Sequence, residues 1–171
     1  MTTPTFLVTG ATDGIGKATA LALARQGASV IIHGRNAAKL AATLAQLCDA
    51  TGNPALHTVQ ADFASLAETA ALAEQVRLEY PALSVLINNA GLLTDHRQTS
   101  IDGFELTFAV NVLAPFLLTT RLLDTLKANA PARIVNVAST AMGGGVIDFS
   151  NLQVERRFDG WQAYANSKLM N

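Results

Sequence analysis

Charge is scarce in this sequence. Only 15% of its 171 residues are charged, with 12 Lys+Arg against 13 Asp+Glu and a net charge of −1 at pH 7. So even a balance supplies no basic field for a nucleic-acid backbone and no polybasic patch for an anionic membrane, so neither partner is expected. Cysteine is scarcer still. Cys48 stands alone, which excludes an intrachain disulfide and fits a reducing, cytoplasmic setting. No apolar run reaches the ~18–20 residues that a membrane helix requires. The opening residues Met-Thr-Thr-Pro-Thr-Phe-Leu-Val hold no basic segment followed by a long apolar stretch, so no signal peptide is expected. His33, His57 and His96 are scattered without metal-ligand spacing, and no metal is expected.

Apolar material, by contrast, is plentiful. Half of the residues are hydrophobic, enough for the well-filled core of one domain over residues 1–171. The apolar residues fall into short runs. Thr5–Thr9, Ser29–His33, Leu56–Gln60, Val85–Asn88 and Arg133–Ala138 read as buried strands. Helical patterns separate them. One follows Gly16 to about Gln26, with Thr12 or Asp13 as its cap and Gly27 as its stop. A second covers 37–48, with Leu40, Leu44 and Leu47 on one face. A third runs from a Ser65 cap to about Glu79. A fourth runs from about Gly103 to Asn129 with a kink at Pro115, and a last begins near Trp161 or Tyr164. Continuously apolar strands alternating with helices are the pattern of a parallel sheet covered on both faces, an α/β, doubly wound, Rossmann-like fold.

The first strand leads directly into Gly10-Ala-Thr-Asp13-Gly14-Ile15-Gly16 and a helix. In that context glycines permit a tight turn, close backbone approach to a pyrophosphate and close helix packing, and the helix N-terminus favours the anion. Asp13 works against phosphate there unless it serves as the helix cap. The end of the second strand, His33-Gly34-Arg35-Asn36, lacks the acid that usually binds the adenosine ribose of NAD. Arg35 offers a planar fork suited to the extra phosphate of NADP, with Lys39 at hand, so NADP(H) is favoured over NAD(H). Near the other end, Tyr164 and Lys168 are four residues apart, one turn of one helix face. A neighbouring ammonium favours a phenolate and equips a tyrosine for acid/base work.

Thr9-Gly10-x3-Gly14-Ile15-Gly16, Asn89-Ala90-Gly91, Asn111, Ser139 and Tyr164-x3-Lys168 follow one another in an order that resembles the short-chain dehydrogenase/reductase family over the whole chain. The segment Ile147-Asp-Phe-Ser-Asn-Leu-Gln and the wide gap from Ser139 to Tyr164 are similar to its retinol-dehydrogenase-like branch, here in a soluble form. The resemblance implies hydride transfer between the nicotinamide and an alcohol/carbonyl substrate. Tyr164 would exchange the proton, Lys168 would assist it and hold the nicotinamide ribose, and Ser139 would hydrogen-bond the substrate oxygen. Asn111, mid-helix, would link Lys168 to solvent through water. Gly10, Asp13, Gly14, Ile15, Gly16, Arg35, Asn36, Asp62, Asn89, Ala90 and Gly91 would bind the cofactor, Asp62 near the adenine. Five strands in the order 3-2-1-4-5 are implied.

Members of that family continue well beyond a point equivalent to Asn171, and a C-terminally truncated chain is expected. The fifth strand would then be an exposed edge and the last helix, about eight residues, marginal by itself. Homodimerisation through the long helix and the Tyr-Lys helix is implied only for a full-length chain. The alternative to an active oxidoreductase is a catalytically impaired nucleotide-binding fragment that lacks a substrate pocket.

Overall fold

A computed structural model describes residues 4–171; Met1–Thr3, part of the segment read for a signal peptide, lie outside the described residues. Strands β1 (Thr5–Val8), β2 (Ser29–Gly34), β3 (Leu56–Gln60), β4 (Leu83–Asn88) and β5 (Arg133–Asn136) form a single parallel sheet in the order β3-β2-β1-β4-β5. The helices are α1 (Gly14–Arg25), α2 (Ala37–Thr51), α3 (Leu66–Glu79), α4 (Leu106–Phe108), α5 (Ala114–Ala128) and α6 (Gly160–Met170). The expected α/β topology is present.

The pleat sends successive strand residues to opposite faces, and both faces are buried. Leu7, Ile31 and Leu86 pack with Leu72 and Val76 of α3 and with Leu118, Leu122 and Leu126 of α5. Val8, Val30 and Ile32 pack with Ala20 and Ala24 of α1 and Leu40 and Leu47 of α2. This is why the strands read as runs rather than alternations.

Short polar side chains start the helices. The side chains of Asp13, Asn36, Ser65 and Asp159 accept the amides of Gly14, Lys39, Glu68 and Gln162 at 2.7, 2.9, 3.1 and 2.9 Å. Each relieves an amide that the first helical turn leaves unpaired. The second helix passes its expected end at 48 and runs to Thr51, where Gly52 turns left-handed at φ 63° and its amide bonds the Cys48 carbonyl. Two strands are shorter than expected. Thr9, and Val137 with Ala138, leave the sheet, and all three take part in the site below.

The long helix begins at Leu106 rather than near Gly103. The buried carboxylate of Glu105 caps it, accepting the amides of Thr107 and Phe108 at 2.8 and 2.7 Å. Its irregularity does not fall at Pro115 as a simple kink. Between α4 and α5 lies a π-helical turn, Ala109–Leu113, in which the Ala114 amide reaches back to the Ala109 carbonyl. Proline has no amide, and its ring collides with the carbonyl four residues earlier, here Asn111. Widening the preceding turn accommodates both. Although uninterrupted apolar runs are short, the 23 residues Leu106–Ala128 are on average long and apolar enough to cross a membrane. In this fold Ala114, Leu118, Leu122 and Leu126 are spent on the core.

β5 is the exposed edge that was expected; all four of its residues are exposed. The last helix is longer than expected, 11 residues from Gly160. Rather than standing alone, it packs on a 3-10 turn, Thr140–Gly144, and against α4.

Candidate active site

Gly10 leaves β1 with φ +63°, and a Cβ there would lie 2.8 Å from the Cα of Ala90. Gly16 faces the Gly10 carbonyl and the Asn89 amide so closely that a Cβ would overlap both. These two glycines let the loops after β1 and β4 meet. The Thr9 hydroxyl accepts the amides of Asn89 and Ala90 at 2.9 and 3.0 Å. Asn89 Nδ2 returns bonds to the carbonyls of Thr9 and Gly10 at 2.8 and 3.2 Å. A cleft of about 670 Å³ opens over the joined loops, at the carboxyl ends of the strands, where open α/β sheets place ligands.

Nine of the expected cofactor residues line this cleft: Gly10, Asp13, Gly14, Arg35, Asn36, Asp62, Asn89, Ala90 and Gly91. Gly16 is buried beneath it, and Ile15 faces a second hollow. Asp13 is the cap of α1, so its carboxylate is occupied by the Gly14 amide. Asn36 caps α2 through its side-chain oxygen, the acceptor that the first helical turn needs, while it lines the cleft. Asp62 accepts the Ala64 amide at 2.9 Å through one oxygen. Arg35 and Lys39 are exposed and form no ion pair among the described residues.

The same cleft is lined by His33, Thr12 and Phe63, which sequence reading passed over. His33 is buried. Its Nδ1 accepts the Gly10 amide at 3.2 Å, its Nε2 lies 3.1 Å from the Ala61 carbonyl, and its ring stacks on Phe63. Burial pulls the imidazole down to about 4, against the opposing pull of the Ala61 bond and the Asp62 charge. The only sequence signal was a polar residue ending a strand that is otherwise apolar.

The second hollow, about 560 Å³, is lined by Ile15, Asn89, Gly91, Leu92, Leu93, Val137, Ala138, Ser139, Trp161, Tyr164 and Lys168. Asn89, Gly91 and Leu92 also line the first, so the two adjoin there. Here Ser139, beyond β5, meets Tyr164 and Lys168 of α6. Lys168 is buried; its Nζ donates to the Val137 carbonyl at 2.9 Å and lies 5.7 Å from the centre of the Tyr164 ring. Burial lowers the Lys168 pKa. Ser139 Oγ accepts the Ala141 amide at 3.2 Å, which leaves its own proton available to a ligand. No carboxylate lines this hollow among the described residues. A phenol, a hydroxyl and an ammonium thus converge within largely apolar walls, an arrangement able to hold an oxygen atom and move a proton to or from it.

The Asn111 side chain lies with Lys168 Nζ against Gly91. It is buried, with Oδ1 accepting the Leu92 amide and Nδ2 donating to the Leu92 carbonyl and to Ser167 Oγ, all at 2.9 Å. An amide has two donor hydrogens, and both are used. Ser167 Oγ in turn donates to the Tyr164 carbonyl at 2.7 Å. Asn111 therefore fastens the turn of α6 that carries Tyr164 to the loop after β4. Ser167 was not singled out from sequence; a small hydroxyl beside Lys168 on an inner helix face was the available sign.

Retinol dehydrogenase 13 from Mus musculus is 42% identical over 166 residues, 96% of this chain and 50% of that protein. Retinol dehydrogenase 11 from Homo sapiens is 42% identical over 165 residues, 96% of this chain and 52% of that protein. The chain spans about half the length of the curated relatives it matches. A solved structure, a short-chain dehydrogenase from Sphingobium yanoikuyae in complex with NADPH, superposes with a TM-score of 0.77 at 28% identity, covering 98% of this chain and 60% of that one. The family model described as short chain dehydrogenase matches residues 4–169, and the chain belongs to that family.

Proposed function

We propose that this protein transfers a hydride between NADP(H) and an alcohol/carbonyl substrate, with Tyr164 as the acid/base. The observation that carries the reading is that the two hollows adjoin at Asn89, Gly91 and Leu92, which sets Tyr164, Ser139 and Lys168 beside one end of a nucleotide-sized cleft. The cradle fits such a cofactor, because Gly10 and Gly16 let the loops after β1 and β4 close up beneath the cleft, where a Cβ on either would collide with Ala90, Asn89 or the Gly10 carbonyl. Gly10, Gly14, Asn89 and Gly91 would hold the dinucleotide, and Asp62 would lie on the adenine side. Arg35 and Lys39, without an ion pair among the described residues, would take the extra phosphate that separates NADP from NAD. When bound, the nicotinamide supplies or accepts the hydride.

The chain's own part is proton handling and positioning. Tyr164 gives its hydroxyl proton to the substrate oxygen during reduction and recovers one during oxidation. Ser139 donates a hydrogen bond to the same oxygen as charge develops on it. Lys168 stands beside Tyr164, held by Val137, and its positive charge favours that developing charge. Leu93 and Trp161 give the substrate side an apolar wall, which, with the similarity to retinol dehydrogenases, supports an apolar alcohol or aldehyde. One observation favours a second reading, nucleotide binding without turnover: β5, beside the hollow, is an uncovered edge.

The test is to titrate the protein with NADPH and then follow NADPH oxidation with a panel of apolar aldehydes and ketones. Failure to bind NADPH overturns both readings. Binding without turnover on any carbonyl overturns the oxidoreductase reading and leaves the second.

A further inference from the structure

His33, the penultimate residue of β2, is only 3% exposed. An imidazole in that position must satisfy two ring nitrogens away from water. Nε2 faces the Ala61 carbonyl, which can only accept, and Nδ1 faces the Gly10 amide, which can only donate. These neighbours dictate a neutral ring protonated on Nε2. A cationic ring would set a second N–H against the Gly10 amide. The depressed pKa agrees with this arrangement, and it is reached despite the nearby Asp62. The other charged groups lining the cleft are Arg35 and Lys39 on the α2 side and Asp13 in the glycine loop.

Two successive loop amides end on this one residue. Ala11 donates to the His33 carbonyl at 2.8 Å, a bond any residue could provide. Gly10 donates to the ring at 3.2 Å, a bond that needs this side chain. Gly10 is also the point where the chain bends out of β1 at positive φ. Phe63 braces the ring from the loop after β3, stacked at 4.2 Å and 18°. The ring therefore joins the bend of the glycine loop to the wall on the far side of the same cleft.

We propose that His33 is a positioning residue for the nucleotide: as a neutral Nε2–H tautomer it holds the bend of the glycine loop at the angle the bound phosphates require. The proposal rests on the cleft being the cofactor site. Asparagine and glutamine separate its two bonds. Asn at position 33 sets an acceptor oxygen where Nδ1 sits, while Gln sets an amide donor near Nε2 and offers nothing to Gly10.

His33→Asn should rescue binding, with NADPH affinity within about 3-fold of the wild type. His33→Gln should bind about 10-fold more weakly, the size of one lost buried hydrogen bond. In the wild type, imidazole nitrogen chemical shifts should report a neutral, Nε2-protonated ring down to about pH 5.5, where an ordinary histidine is largely charged. That measurement needs no variant to fold. Equal NADPH affinity for the Asn and Gln variants, or a ring charged at about pH 5.5, overturns the proposal while leaving the cofactor site intact. Failure of the wild type to bind NADPH overturns the cofactor site and this inference with it.

Discussion

Asn111 Nδ2 donates to Ser167 Oγ at 2.9 Å, joining the π turn to α6 across 56 residues of sequence. The same amide closes both backbone bonds of Leu92. Replacing Asn111 with Leu would strand the Leu92 amide and carbonyl, each costing about 1–3 kcal/mol when buried and unpaired. Ser167→Ala removes the Asn111 Nδ2 bond and the bond to the Tyr164 carbonyl and strands one amide hydrogen, at about 1–3 kcal/mol in all. Urea unfolding should therefore rank Asn111→Leu as clearly the more damaging. Equal losses would mean that Leu92 is not held by Asn111.

Tyr164→Phe keeps the ring that contacts Trp161 at 5.9 Å and removes only the hydroxyl. Carbonyl turnover should fall by about 10²–10⁴, the range for a lost general acid. NADPH affinity should stay within about 3-fold. Turnover that survives the change would remove Tyr164 from the chemistry.

Arg35 has no ion-pair partner within the described residues, so Arg35→Ala should leave stability nearly unchanged. It should weaken NADPH binding by about 10–100-fold, the equivalent of one or two charge-assisted hydrogen bonds. NADH binding should not change. A parallel loss for both nucleotides would show that Arg35 does not read the extra phosphate.

Acid should weaken the fold through His33. Its folded pKa, about 4, lies below the ordinary value of 6.5, so the unfolded chain binds the proton more readily. The stabilisation is complete above pH 6.5 and is lost as pH falls toward about 4. At 1.36 kcal/mol per unit, the loss is about 3 kcal/mol. Unfolding free energies measured at several pH values should show this slope, and His33→Asn should flatten it relative to the wild type. An identical slope in the variant would assign the acid sensitivity to carboxylates.

The topology was readable because local signals agreed. Apolar runs ended on glycine, and Asp13 and Ser65 stood where helices needed caps. The motif residues pointed to one end of the sheet, and Tyr164, Lys168 and Ser139 do meet there. Less could be read where function depends on which atoms face each other. Sequence placed His33 in a strand but could not say that its two nitrogens span Gly10 and Ala61. It named Asn36 and Asn111 but could not say that Asn36 Oδ1 caps α2 or that Asn111 bonds Leu92 and Ser167. Composition gives a residue's bonding capacity; only the fold shows who uses it. The spacing of Asn111 and Pro115, four apart, did carry the π turn in principle, since proline acts on the carbonyl at that separation.

That turn has a further consequence. A π turn holds one more residue than the α-helical turn it replaces, and each helical residue advances the side-chain direction by about 100°. The long helix is therefore two phases spliced together: the first part sets Asn111 at the site while Val110 joins the core, and the part from Ala114 carries the core stripe. Deleting a single residue from Ala109–Leu113 would remove the widened turn that accommodates Pro115, while the core would hold the apolar stripe of α5 where it is. It would also swing Asn111 a quarter-turn or more away from Leu92 and Ser167. Chain length at this one point, as much as residue identity, sets the site.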